Sequence, residues 1–150
     1  MSKDRFKLVP YIVVILRDGK KVLLIKRCNT NFSCGLYALP GGGVDGDETI
    51  TAATIREAYE ELGVKIDQKD LKFVHVYHAK PGVAGQSEYI NFFFEAIKWE
   101  GEPVNMEPHK CEEMVWFDLD ALPENIIPAH RHALEMIEKN IVFSEFGWEK

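Results

Sequence analysis

Residues 41–64 read GGGVDGDETITAATIREAYEELGV, and the 150-residue chain is organised around them. The second half of the stretch has the period of a helix. At about 100° per residue, Ala52, Ile55, Ala58, Tyr59 and Leu62 gather on one side, the spacing of a core-facing stripe. Glu57, Glu60 and Glu61 fall on another face, at i, i+3 and i+4. Like-charged i,i+4 pairs cost roughly 0.2–0.5 kcal/mol each, and Arg56 is the one cation within a turn. A bound divalent cation would lift that repulsion. Thr49 is placed to cap the helix after the turn-rich Asp45-Gly46-Asp47. Gly63 suits the left-handed position that ends it, with Val64 making the hydrophobic contact beyond. Upstream, Gly41-Gly42-Gly43 reads as a turn where backbone comes close to a ligand that a Cβ would obstruct. A glycine turn, an acidic face and an apolar face within two dozen residues predict a metal–phosphate site.

These residues resemble the signature of the Nudix (MutT-like) hydrolases, G-x5-E-x7-R-E-U-x-E-E-x-G-U, with U an aliphatic residue. Gly42, Glu48, Arg56, Glu57, Glu60, Glu61, Gly63 and Val64 fill every fixed slot, and Ala58 is a small apolar residue at the first U. The resemblance implies an α/β fold, an α/β/α sandwich around a mixed β-sheet, as one domain over residues 1–150. It implies Mg²⁺ or Mn²⁺ at Glu57, Glu60 and Glu61, with Gly42 lending a backbone carbonyl; oxygen-only ligands select such hard cations. Arg56 and Glu48 are too far apart to meet along one helix. The resemblance implies that Glu48 folds back from the preceding turn to form an ion pair that orients the metal-binding carboxylates.

The resemblance extends to weaker positions. Glu107, downstream of Trp99-Glu100-Gly101-Glu102-Pro103, is the candidate for a further catalytic carboxylate, with Glu112 and Glu113 as competitors. Arg27 matches a phosphate-contacting arginine of family members, and a cation there suits a polyphosphate substrate. Gly42 and Gly43 are substrate-binding candidates. In family members the segment entering the last helix reads the base. Here it is Asn125-Ile126-Ile127-Pro128-Ala129-His130, with Asn125 the candidate contact. Ile126 stands where bacterial members carry a purine-reading Asn, which argues against selectivity for 8-oxoguanine.

The implied reaction is attack of water on phosphorus in a nucleoside triphosphate or a related nucleoside diphosphate derivative. The alternative within enzymes is an ADP-ribose or nucleotide-sugar pyrophosphatase. A nucleotide-sensing module without turnover is disfavoured, since such modules lose a glutamate and all three are present here.

Composition fits that picture. At 46% hydrophobic and 28% charged, the chain is typical of soluble globular proteins and long enough to bury a sizeable core. A net charge of −6 argues against binding nucleic acid or an anionic membrane. The expected partner is a small-molecule nucleotide; the oligomeric state stays open. Cys28, Cys34 and Cys111 form no CxxC pair and read as reduced thiols. MSKDRFK lacks the apolar run of a signal peptide, and Tyr11 to Leu16 is far short of the ~20 residues that span a bilayer. The expected location is the cytoplasm.

Along the chain, Leu8 to Leu16 and Lys21 to Lys26 flank the turn signal Arg17-Asp18-Gly19-Lys20 and predict a hairpin. Their near-continuous apolar runs predict burial on both faces. Asn29 to Gly35 reads as a polar loop and Leu36 to Pro40 as a short strand. Leu71 to His78 and Ser87 to Trp99 read as strands joined by a mobile loop, Ala79 to Gln86. Met114 to Phe117 predicts another strand and Asp118 to Pro123 a turn. Ile126 to Asn140 predicts a helix with Ala133, Leu134, Ile137 and Ile141 on one side. Tyr37, Tyr77, Tyr89, Phe92, Phe94 and Trp116 are core residues or base-stacking rings; His130 and His132 read as a solvated helix face.

Overall fold

A strand of ten residues, β1 (Val9–Asp18), holds the molecule together because both of its faces are covered. In this computed structural model, which describes residues 4–29, 34–82 and 86–148, every residue from Ile12 to Leu16 is buried. Val13 and Ile15 pack toward one helix, α2 (Pro128–Glu138); Val14 and Leu16 pack toward the other, α1 (Ile50–Leu62). The continuous apolar run is what a strand buried on both sides requires. A helix, a mixed sheet and a second helix thus form the expected three layers.

The predicted hairpin is real only at its turn. β1 pairs with β2 (Lys21–Arg27) at Arg17↔Val22 and Asp18↔Lys21, after which the two strands twist apart and find other partners. β2 pairs antiparallel with β3 (Tyr37–Ala38) and with β7 (Cys111–Asp118). β1 runs parallel to β6 (Tyr89–Ala96), which pairs antiparallel with β5 (Leu71–Ala79). A short strand, β8 (Phe143–Phe146), runs parallel to β5 at the edge; four residues carry too little periodicity for the sequence to announce it.

The glycine triplet corrects another expectation. Gly41–Gly43 is not a turn but a strand, β4, paired antiparallel with β1 through Val13↔Gly41, Ile12↔Gly42 and Tyr11↔Gly43. A Cβ on Gly41 would run into the Ile12 carbonyl. Here glycine is selected by close backbone packing and not by turn geometry.

The caps of α1 are as predicted. Thr49 Oγ1 accepts from the Ala52 N–H at 3.0 Å, and Gly63 adopts φ 70° while its N–H donates to the Tyr59 carbonyl. The buried stripe is rotated from the predicted one. Ala53, Thr54, Ala58 and Leu62 face inward, whereas Ala52 is exposed and Tyr59 is 51% exposed. Small residues let the helix lie close to the sheet, and a tyrosine ring would hold it away.

α2 is shorter than predicted. The chain leaves the helix at Asn140, whose φ is 58°, so Ile141 is off it. His75, fully buried on β5, donates through Nδ1–H to the Ile141 carbonyl at 2.8 Å. Its Nε2 then accepts from the Ser144 hydroxyl, which in turn accepts from His132 Nε2–H, each at 2.8 Å. His132 is therefore a bridge between α2 and β8, not a solvated residue. The predicted mobile and polar loops fall partly on residues 83–85 and 30–33, outside the described residues.

Candidate active site

A cavity of about 660 Å³ opens where β4, the acidic face of α1 and the start of α2 meet. Its acidic end is built largely from α1. Glu57 and Glu61 point into it; Glu60 sits at the rim, its side chain 51% exposed against 13% for Glu57. The three glutamates expected to act alike are thus an inner pair and an outer one.

Glu57 packs directly on the glycine strand. A Cβ on Gly42 would lie 2.6 Å from Glu57 Oε1. The Gly41 backbone favours the charged form of Glu61, but the side chain is desolvated and faces the charges of Glu57 and Glu107. Burial first, then those neighbours, holds its carboxyl well above the usual carboxylate range. Glu61 takes part in no ion pair among the described residues.

Glu107 reaches this end because the loop carrying it is tied to the end of α1. The Val104 and Met106 N–H groups donate to the Leu62 and Glu61 carbonyls at 2.9 and 3.1 Å, satisfying acceptors that a helix terminus leaves free. Glu107 lines the cavity, with Lys110 Nζ 3.9 Å from its carboxylate. The two competitors turn elsewhere. Glu112 pairs with Lys26 at 3.5 Å, and Glu113 accepts from the Tyr37 hydroxyl.

Behind the inner pair lies Arg56. Its Nε and Nη2 grip Glu48 in a bidentate pair at 3.1 and 2.8 Å. Nη1 donates to Glu57 at 3.0 Å and to Glu60 at 3.2 Å, and Nη2 to the Gly43 carbonyl at 3.2 Å. Glu48, just before the Thr49 cap, is fixed further by the Asp45 N–H at 2.8 Å. Its carboxyl is held below the usual range, first by the Arg56 hydrogen bonds. The eight-residue separation is bridged because Glu48 folds back from outside the helix.

Arg27 lines the cavity next to α2. Beside it His130 accepts from the Leu39 N–H at 3.0 Å. Burial, and secondarily the charge of Arg27, pushes the His130 imidazole down to about 4. His130 was expected at a solvated face; the tertiary fold turns it inward, and its spacing in sequence gave no signal of that. Two predicted contacts fall outside the lining. Asn125 is exposed and donates to the Gly35 carbonyl at 3.2 Å, and Gly43 presents its carbonyl to Arg56. Of the candidate stacking rings, Tyr77 and Tyr89 line the cavity, joined by Tyr11 and Asn91, which the sequence reading missed. The one trace of Asn91 is a lone amide within the apolar run YINFFF.

A NUDIX domain family model matches residues 7–137. The chain belongs to the NUDIX family. It is 35% identical over 126 residues to the ADP-ribose pyrophosphatase of Methanocaldococcus jannaschii, covering 83% of this chain and 71% of that protein. It is 30% identical over 137 residues to the NAD-capped RNA hydrolase NudC of Chromobacterium violaceum, covering 87% of this chain and 48% of that one. The NUDIX chain thus spans about half the length of that relative. A MutT NUDIX hydrolase crystal structure from Burkholderia pseudomallei superposes with a TM-score of 0.79 at 31% identity, over 87% of this chain and 98% of the other. NUDIX hydrolases generally work with a divalent metal. Among the described residues of this member no three His, Cys, Asp or Glu side chains stand in a ready-made metal cage. Arg56 draws an oxygen of Glu57 and one of Glu60 to itself. The donor set still fits a hard cation: Glu57, Glu61 and Glu107 line one end of the cavity, and Glu61 has no positive partner among the described residues. No helix among the described residues is long and apolar enough to cross a membrane.

Proposed function

We propose that this chain is a pyrophosphohydrolase, dependent on Mg²⁺ or Mn²⁺, that acts on a nucleoside triphosphate or a related nucleoside diphosphate derivative. The observation that carries the reading is the convergence of Glu57, Glu61 and Glu107 at one end of the cavity, where Glu57 meets Arg56 and Glu107 meets Lys110 but the desolvated Glu61 has no cationic partner among the described residues. Buried like charges persist only where something neutralises them. Glu57, Glu61 and the Gly42 main chain are the assigned metal donors. Glu60 completes the set from the rim, and Glu107 serves as ligand or general base. The metal, when bound, would offset the diphosphate charge and lower the pKa of its water. Arg56 and Glu48 hold Glu57 and Glu60 in place. Arg27 and Lys110, which both line the cavity near where β2 meets β7, are positioned to draw in the phosphate oxygens.

A second, narrower reading within the same chemistry is a substrate whose diphosphate bridges two groups. It is supported by the names of two relatives, an ADP-ribose pyrophosphatase and an NAD-capped RNA hydrolase. The deciding experiment incubates ATP, dGTP, ADP-ribose and NAD with and without Mg²⁺, and identifies products by chromatography. Glu61→Gln should lower turnover more than 100-fold while the thermal midpoint stays level or rises, because a neutral amide avoids the cost of a buried charge. Parent-rate hydrolysis by that variant, or turnover independent of metal, would sink the proposal.

A further inference from the structure

The cavity holds one hydrogen-bond donor to which the hydrolysis described above gives no role. His130, the third residue of α2, is half-buried and lines the cavity. The Leu39 N–H donates to its Nδ1 at 3.0 Å. A main-chain N–H can only donate, so Nδ1 carries a lone pair and the neutral ring keeps its proton on Nε2. That Nε2–H has no partner among the described residues. Nor is it sealed. Outside the exposed residues, Asn91 Oδ1 is the one described side-chain nitrogen or oxygen both unpaired and shut off from solvent. The His130 Nε2–H is therefore an open donor.

Two contacts hold the ring. Leu39 lies two residues before Gly41, about 7 Å along an extended chain, so the imidazole is anchored close to the glycine strand. The Phe93 ring of β6 meets it edge-on with centroids 6.0 Å apart. The charge that acts on the imidazole is that of Arg27. A guanidinium beside a neutral N–H suits an anion: Arg27 supplies the charge, and His130 adds a donor without adding a second, repelling cation. Accepting at Nδ1 also polarises the ring and strengthens the bond that Nε2–H can make.

We infer that His130 binds the substrate as an uncharged donor: its Nε2–H donates to a phosphate oxygen that Arg27 also holds, so that α2 contributes to the diphosphate subsite. This rests on the pyrophosphohydrolase reading for the identity of the anion. The Leu39 N–H has a part in the binding, because it fixes which ring nitrogen carries the proton.

Two variants separate the ring nitrogens. His130→Asn keeps an acceptor for the Leu39 N–H and loses the donor at Nε2; His130→Gln can keep the donor and loses the acceptor. The probe is inorganic pyrophosphate with Mg²⁺, which carries the anion and no base, and its binding is read by calorimetry at neutral pH. His130→Asn should melt within about 2 °C of the parent but bind pyrophosphate about 10–100-fold more weakly, the usual loss for a hydrogen bond to a charged group. His130→Gln should show the reverse: a lower thermal midpoint, with affinity within about threefold of the parent. Nitrogen-15 spectra of the parent protein decide the matter if the glutamine variant does not fold. They should show Nδ1 unprotonated and the Nε2–H resonance moving when pyrophosphate is added. Because none of this needs turnover, a parent protein that hydrolyses nothing refutes the earlier reading while still measuring this one. Parent-like affinity in His130→Asn, an equal loss in a folded His130→Gln, a proton on Nδ1, or a parent protein that does not bind pyrophosphate would overturn the inference.

Discussion

Gly41→Ala and Gly42→Ala add the same methyl group to adjacent residues of one strand, and the structure predicts opposite consequences. A Cβ at Gly42 would sit 2.6, 2.7 and 3.0 Å from the Oε1, Cδ and Oε2 atoms of Glu57. Ordinary contact begins near 3.4 Å, so the carboxylate must retreat by about 0.8 Å. Its far end can move, but only by straining the 3.0 Å bond from Arg56. Displacing a catalytic group by about 1 Å costs on the order of 100-fold in rate. Fold stability should hardly change, since replacing glycine by alanine also restricts the unfolded chain by roughly 0.4–1 kcal/mol.

At Gly41 the methyl meets backbone instead: the Ile12 carbonyl, then Val13 Cα at 3.0 Å. Those atoms belong to the part of β1 buried on both faces and have nowhere to go. Overpacking of that kind costs about 1–3 kcal/mol, or roughly 3–10 °C of thermal midpoint for a domain of this size. The assay pairs calorimetric melting with Mn²⁺ titration and turnover of whichever nucleotide the parent protein cleaves. Gly42→Ala should melt within about 2 °C of the parent yet lose metal affinity and rate. Full activity in Gly42→Ala, or equal melting temperatures for the two variants, would refute the packing argument.

Arg56→Lys keeps the charge but not the fork that grips Glu48, so kcat should fall by about 10–100-fold, with a weaker apparent Mg²⁺ affinity read from the metal dependence of the rate. An unaltered metal dependence would count against Arg56 as the residue orienting Glu57 and Glu60. His130 predicts an acid weakness. Its folded pKa, about 4, lies below its unfolded value near 6.5, so the unfolded chain takes up the proton first. Stability tied to His130 is complete above pH 6.5 and declines as pH falls toward 4, by up to about 3 kcal/mol. His130→Asn, which retains an acceptor for the Leu39 N–H, should flatten that part of the curve in urea melts at pH 7 and 5. An equal loss in both proteins would show that the histidine is not responsible.

Much of the local structure was legible before any coordinates. The caps Thr49 and Gly63, the acidic face of α1 and the doubly buried β1 each depend on residues close together in the chain, where spacing and side-chain type suffice. The pairing of Glu48 with Arg56 needed the family signature, because it depends on a chain reversal between them. Periodicity gives the angles between residues on a helix, but not which way the helix rolls. That is decided by how near the sheet it lies, so Ala53 and Ala58 went inward and Tyr59 outward. For the same reason Glu57 and Glu61 became an inner pair while Glu60 was left at the rim. The glycine strand, the inward His130 and the buried Asn91 come from partners on other elements of the fold: β1, Leu39 and Tyr77. Residue order alone set which chemistry was present in this protein. Burial and cross-strand neighbours, which exist only once the sheet has formed, decided which of those groups share a cavity.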